Sequence, residues 1–130
     1  MRFKTAICVL PGGHILVAER DKRSVTLLNQ KYEPLIHWDL FNYPWDICQV
    51  TPNEVAVTWD DDNTHVIQFI TVNNRQLVRD RTFSLQHNCR KIDHHQGTLF
   101  VTSGTALYKY TITGQLISKP YGDTFGINFV

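Results

Sequence analysis

Ile47-Cys48-Gln49-Val50-Thr51-Pro52-Asn53-Glu54-Val55-Ala56-Val57 reads as two short strands joined by a tight turn. Both halves are rich in apolar and β-branched residues, and the Pro-Asn step between them is turn chemistry. The same pattern occurs twice more. Ile7-Cys8-Val9-Leu10-Pro11-Gly12-Gly13-His14-Ile15-Leu16-Val17 precedes it, and Ile92-Asp93-His94-His95-Gln96-Gly97-Thr98-Leu99-Phe100-Val101, shorter by one turn residue, comes after it. The starts at positions 7, 47 and 92 lie about 40 and then about 45 residues apart, the spacing of β-propeller repeats.

The similarity continues beyond each of these segments. A polar loop leads to a third apolar run, Val25–Leu28, Val66–Ile70 or Leu107–Tyr110, and after a further turn to a fourth piece, Pro34–Trp38, Gln76–Arg79 or Gln115–Ser118. Asn73-Asn74 suits a hairpin because Asn tolerates positive φ. No window sustains apolar residues at i, i+3, i+4 and i+7, so helices are minor at most. The expected fold is all-β, a β-propeller segment of three four-stranded WD40-like blades at about 3–42, 43–86 and 87–122 with a tail at 123–130. A β-sandwich would also have many short strands, but it would not repeat its second strand at blade spacing.

Composition narrows the function classes. With 42% hydrophobic and 12% aromatic residues the chain has the make-up of a folded domain, and its net charge of +1 lacks the basic excess of a phosphate-tracking protein. Cys8, Cys48 and Cys89 are odd in number and widely spaced, which fits reduced thiols better than a disulfide framework. The apolar stretch before Pro11 is short for a signal peptide, and no run is long enough to span a membrane. A soluble cytoplasmic protein with no membrane partner is expected.

The stretch Tyr43-Pro44-Trp45-Asp46-Ile47-Cys48-Gln49-Val50, with Asn53–Thr58 and Val66-Ile67-Gln68-Phe69 after it, resembles an NHL-type blade. Leu10–Ala18 and Thr102–Tyr110 look like segments of the C-terminal propellers of tripartite-motif (TRIM) proteins. The resemblance implies a scaffold for protein partners, recognising a substrate or adaptor in a ubiquitin-ligase system. Any ligase activity would reside in RING and B-box modules, whose zinc sites three scattered cysteines cannot supply. An RNA-binding NHL propeller is the alternative, and a propeller hydrolase with a channel metal is the third reading.

Three blades leave sheet edges and faces open. A piece of a longer propeller, or a homodimer completing a six-bladed ring, is therefore expected. The candidate binding residues are Arg20, Lys22, Arg23, Trp45, Asp60, Asp62, Arg90 and Lys91. Arg20, Lys22 and Arg23 form a basic loop, whereas the equivalent loop one blade on is Asp60-Asp61-Asp62, read as a solvated acidic loop. Alternating charge suits protein recognition better than phosphate tracking. A second basic group comprises Arg79, Arg81, Arg90 and Lys91. Trp45, after Pro44 in an inter-blade connection, is the candidate surface anchor, with Trp38 and Trp59 expected to pack.

Asp60 to Thr64 does not make an EF-hand, because positions 6 and 12 hold His65 and Thr71. His87, Cys89, His94 and His95 are the densest set of potential metal ligands, yet the two adjacent histidines point to opposite faces of a strand. No metal site and no cofactor are assigned. Gly-x-Ser-x-Gly, phosphate-loop and His-Glu-x-x-His motifs are absent from the sequence, so no catalytic residue is assigned and no enzymatic activity of this chain is expected.

Overall fold

A computed structural model describes residues 5–40, 42–73 and 75–122. They form twelve strands: β1 (Thr5–Val9), β2 (Ile15–Glu19), β3 (Ser24–Leu28), β4 (Pro34–Asp39), β5 (Pro44–Thr51), β6 (Glu54–Asp60), β7 (His65–Asn73), β8 (Gln76–Ser84), β9 (Ile92–His95), β10 (Thr98–Thr102), β11 (Leu107–Thr111) and β12 (Leu116–Tyr121). These make three antiparallel four-stranded sheets, β1–β4, β5–β8 and β9–β12, each in chain order, as the repeat predicts. Among the described residues no helix is long and apolar enough to cross a membrane. The expected apolar tail at 123–130, and Asn74 of the Asn73-Asn74 turn, lie outside the described residues; Asn73 itself pairs with Gln76.

The first strands form the inner row. β1 lies against β5, and β5 against β9, so the sheets pack face to face and fan outward. The last strands of the second and third blades lie toward solvent: β12 is exposed at every position and β8 at most of them. Asp46 on β5 helps to link the inner strands by accepting the Ile92 backbone N–H across the sheet boundary at 2.9 Å.

Two apolar layers result, and the middle sheet feeds both. Val55, Val57 and Trp59 of β6, with Ile70 and Val72 of β7, pack toward Leu16, Val25 and Leu27 of the first sheet. Ala56, Ile67 and Phe69 pack toward Ile92, Leu99, Val101 and Tyr110 of the third. Successive side chains of a strand point to opposite faces, so a sheet covered on both sides needs a continuous apolar run.

The shorter third turn has a clear backbone reason. Gln96 and Gly97 have φ values of 49° and 80°, and His95 pairs directly with Thr98. Positive φ at both central residues is the two-residue hairpin geometry that Gly accepts without strain.

The second basic group does not hold together. β8 carries a bulge between its pairings Arg79↔Ile70 and Thr82↔Gln68. Arg79 stands over Trp38 of the first sheet at 4.4 Å, whereas Arg81 stands over Phe69 at 3.9 Å, on the side of the third sheet. Arg81 Nη1 also bonds Glu54 Oε2 at 2.9 Å. A bulge re-aims side chains in this way, and the sequence pattern did not reveal it.

Candidate functional site

The strands run up and down in turn, which gathers one set of connections at one end of the blades. This rim holds the β2–β3, β6–β7 and β10–β11 loops and the chain segments entering β5 and β9. At its centre is Trp45, half-buried at the start of β5. The Arg20 guanidinium stands over its ring at 3.6 Å from the centroid, and that of Arg90 at 4.2 Å. The indole Nε1–H donates to the Asp60 carbonyl at 2.9 Å. Trp45 is therefore a fixed platform carrying two cations, not the free anchor that its position after Pro44 suggests.

Asp60 departs further from expectation. Read as part of a solvated loop, it is 4% exposed at the end of β6. Its Oδ2 accepts from Arg90 Nε at 3.0 Å, while Oδ1 accepts from the Cys89 backbone N–H at 3.1 Å and meets His65 Nδ1 at 2.6 Å. A buried carboxylate persists when paired and hydrogen-bonded, and these three groups meet that need. Asp61 caps its own loop by accepting from the N–H groups of Asn63 and Thr64. Only Asp62 of the three lies fully in solvent.

Lys22, Arg23 and Lys91 are exposed around this centre, Lys22 pairing with Glu19 at 3.6 Å. Arg20 has no ion-pair partner among the described residues. Its burial pushes the guanidinium below its usual pKa, as does the nearby Arg90 charge, while Asp21 opposes both; it stays protonated at neutral pH. The structure thus brings Arg20, Trp45, Asp60 and Arg90 into one contact network, with Lys22, Arg23, Asp62 and Lys91 on its loops.

Two pairings were not anticipated from the sequence. The first is the Asp60–His65 pair. These residues close a four-residue hairpin loop and are register partners, the one signal that could have linked them. A histidine held at Nδ1 by a buried carboxylate is oriented to exchange a proton at Nε2. The second is His87, whose ring stacks on Tyr108 at 3.5 Å. Its Nδ1 lies 2.6 Å from the Asn88 carbonyl, which can only accept, so Nδ1 carries the proton and Nε2 accepts from the Tyr110 hydroxyl at 2.6 Å. Burial holds the His87 pKa below its usual value, opposed in part by the Asn88 hydrogen bond.

The remaining potential ligands do not converge. Cys89 is buried with its Sγ 3.3 Å from the Trp59 carbonyl, and burial pushes its thiol up to about 12. His94 and His95 alternate along β9. Among the described residues no three His, Cys, Asp or Glu side chains come together as a metal site would need.

No protein-family model matches the sequence, and no curated protein sequence does. Solved structures do match. Virginiamycin B lyase from Staphylococcus aureus aligns over 86% of this chain and 39% of its own, at 17% identity and a TM-score of 0.66. BBS1N, solved in complex with ARL6DN, aligns over 89% of this chain and 36% of its own at 18% identity and a TM-score of 0.66. KlAtg21, solved with the coiled-coil of AgAtg16, aligns over 92% and 43% at 7% identity and a TM-score of 0.63. The chain spans about two-fifths of each of these proteins.

The lyase corrects one expectation. Absence of short catalytic motifs led to the reading that this chain is not an enzyme, yet a protein of the same shape is one. Short motifs detect groups that are close in sequence, whereas a propeller also brings together side chains from different blades, as Asp60 and Arg90 are here. For this chain the neighbours establish the architecture: it is all-β, with three four-stranded blades arranged as in β-propellers.

Proposed function

We propose that this chain is part of a cytoplasmic propeller that binds a protein partner on its rim. The observation that carries the reading is the Trp45 platform beneath Arg20 and Arg90. It is a rigid aromatic and guanidinium surface of the kind that dominates interface energetics, ringed by exposed charges of both signs. Two propellers of this shape, BBS1N and KlAtg21, were solved with protein partners, which supports the same use here. The resemblance of 43–69 to NHL blades extends the proposal to substrate or adaptor recognition in a ubiquitin-ligase system. Site-specific photocrosslinkers in cells test it. Positions 22, 23, 62 and 91 should capture a common protein, and positions 12 and 52 at the opposite end should not. Equal capture from both ends would overturn the rim assignment, and nuclease-sensitive products would favour RNA.

A second reading, acid–base chemistry, is favoured by the Asp60–His65 pair. It anticipates conversion of virginiamycin B that is lost in His65→Ala. Virginiamycin B recovered unchanged by chromatography removes that substrate.

A further inference from the structure

The second sheet is covered on both faces, while the first and third are each covered on one. The uncovered face of the first sheet repeats, position by position, a face that is in contact elsewhere. Ile47, Val55, Val57 and Ile70 receive the first sheet, and Ile92, Leu99, Val101 and Tyr110 receive the second. Ile7, Ile15, Val17 and Leu28 hold the same places by register. Ile7 pairs with Val17 and Ile15 with Leu28, as Ile47 does with Val57 and Val55 with Ile70. Yet these four pack into neither apolar layer; Ile7 is 61% exposed, and Val9 on the same face 59%.

The third sheet carries the opposite half of this contact. Phe100, Thr102, Leu107 and Lys109 take the places of Ala56, Thr58, Ile67 and Phe69, which meet the third sheet. Leu16, Ala18, Val25 and Leu27 hold those places in the first sheet and meet the second. Thr102 and Leu107 border a recess of about 540 Å³ that extends to the exposed Tyr121. In the second sheet the same place, beside Thr58 and Ile67, is occupied by the next blade: Thr58 Oγ1 donates to the Arg90 carbonyl at 2.8 Å.

One free receiving face and one free inserting face fit a second copy of the same chain, because each copy supplies what the other lacks. A few charges set these faces apart from the internal ones. Glu19, Asp93 and Lys109 stand where the second sheet has Trp59, Cys48 and Phe69. Charges of both signs suit faces that meet water before they meet each other, as those of separately folded subunits do. We infer that two copies of this chain dock, the first sheet of each against the third sheet of the other, closing a six-bladed ring. Six blades lie within the range in which propellers close, and a two-fold axis relates the two joints. Each joint removes an apolar sheet face from water, as the internal contacts do. The inference does not rest on the rim reading, since no residue of either face belongs to the Trp45 network.

Sedimentation velocity of the purified chain at micromolar concentration reads the assembly directly. It should give twice the chain's 15.1 kDa, and Ile7→Glu or Leu107→Arg alone should each reduce it to the monomer. Mixing the two variants should restore the dimer, because the mixed pair keeps one native joint. Val9→Glu and Tyr121→Arg, both at exposed positions of the same faces, take over for a variant that loses its β-sheet circular dichroism. A monomeric native chain, or a species larger than a dimer, overturns the proposal. So does a dimer that survives both substitutions, is lost in only one of them, or does not return on mixing.

Discussion

β6 and β10 hold the same place in successive sheets, yet they meet different surroundings. β6 is buried at every position from Val55 to Asp60, whereas β10 alternates between buried and half-buried residues. The middle sheet is covered on both faces, and the third packs its inner face against the second. Coverage, not strand propensity, sets the difference: both strands are rich in β-formers, but only β6 has no face toward solvent. The polar residues of β6 must consequently find partners inside. Thr58 Oγ1 donates to the Arg90 carbonyl at 2.8 Å, and Asp60 gathers Arg90, His65 and Cys89. The candidate site grows out of that requirement, because the groups that satisfy Asp60 also hold the rim together.

The contrast can be broken most sharply in the core. Phe69→Ala, at a residue with 0% exposure between the second and third sheets, should destabilise the protein by about 3–5 kcal/mol in urea unfolding. Phe100→Ala on half-buried β10 should cost clearly less. Equal losses would mean that the third sheet is as enclosed as the second.

Asp60→Ala comes next. Removing the carboxylate strands part of a buried network and should cost about 3 kcal/mol, while Asp62→Ala in the same loop should stay within about 0.5 kcal/mol. Similar effects at the two positions would return Asp60 to the solvated loop expected from the sequence.

His87 sharpens the comparison through pH. Its folded pKa is depressed, so the unfolded chain takes up a proton first as pH falls. Its stabilising contribution is fully present above the unfolded value of about 6.5 and is lost as pH drops below that toward the folded value. Stability should decline with acid over that window, and His87→Phe, which keeps a ring against Tyr108, should flatten the decline. An unchanged slope would take the titration away from His87.

The smallest effect is expected at the thiols. Burial pushes Cys48 and Cys89 up to about 12 and also raises Cys8. A thiol reagent at pH 8 should label none of the three in the folded protein and all of them after denaturation. Rapid native labelling would show that the layers between sheets open.

Much of the blade architecture was legible because it is local. The Val-Ala-Val and Leu-Phe-Val strands, the Pro-Asn and Gln-Gly turns and the return of the pattern at 7, 47 and 92 depend on neighbours within a few positions. The equivalent loops bearing Lys22 and Arg23 in one blade and Asp62 in the next came from the same register. The β8 bulge was not legible, since Gln76–Ser84 alternates no differently from a regular strand until its pairing with β7 is known. Nor was the lack of an acceptor for Trp59, which depends on how two sheets pack.

Strand period and turn chemistry are written into adjacent residues, because backbone stereochemistry acts over short distances along the chain. Burial of Asp60, the two guanidiniums over Trp45 and the divergence of Arg79 from Arg81 required separate blades to meet. Arg90 reaches Asp60 from 30 positions away, and Arg20 reaches Trp45 from another sheet. Electrostatic pairing and desolvation depend on distance in space, and only packing of one blade on the next sets those distances.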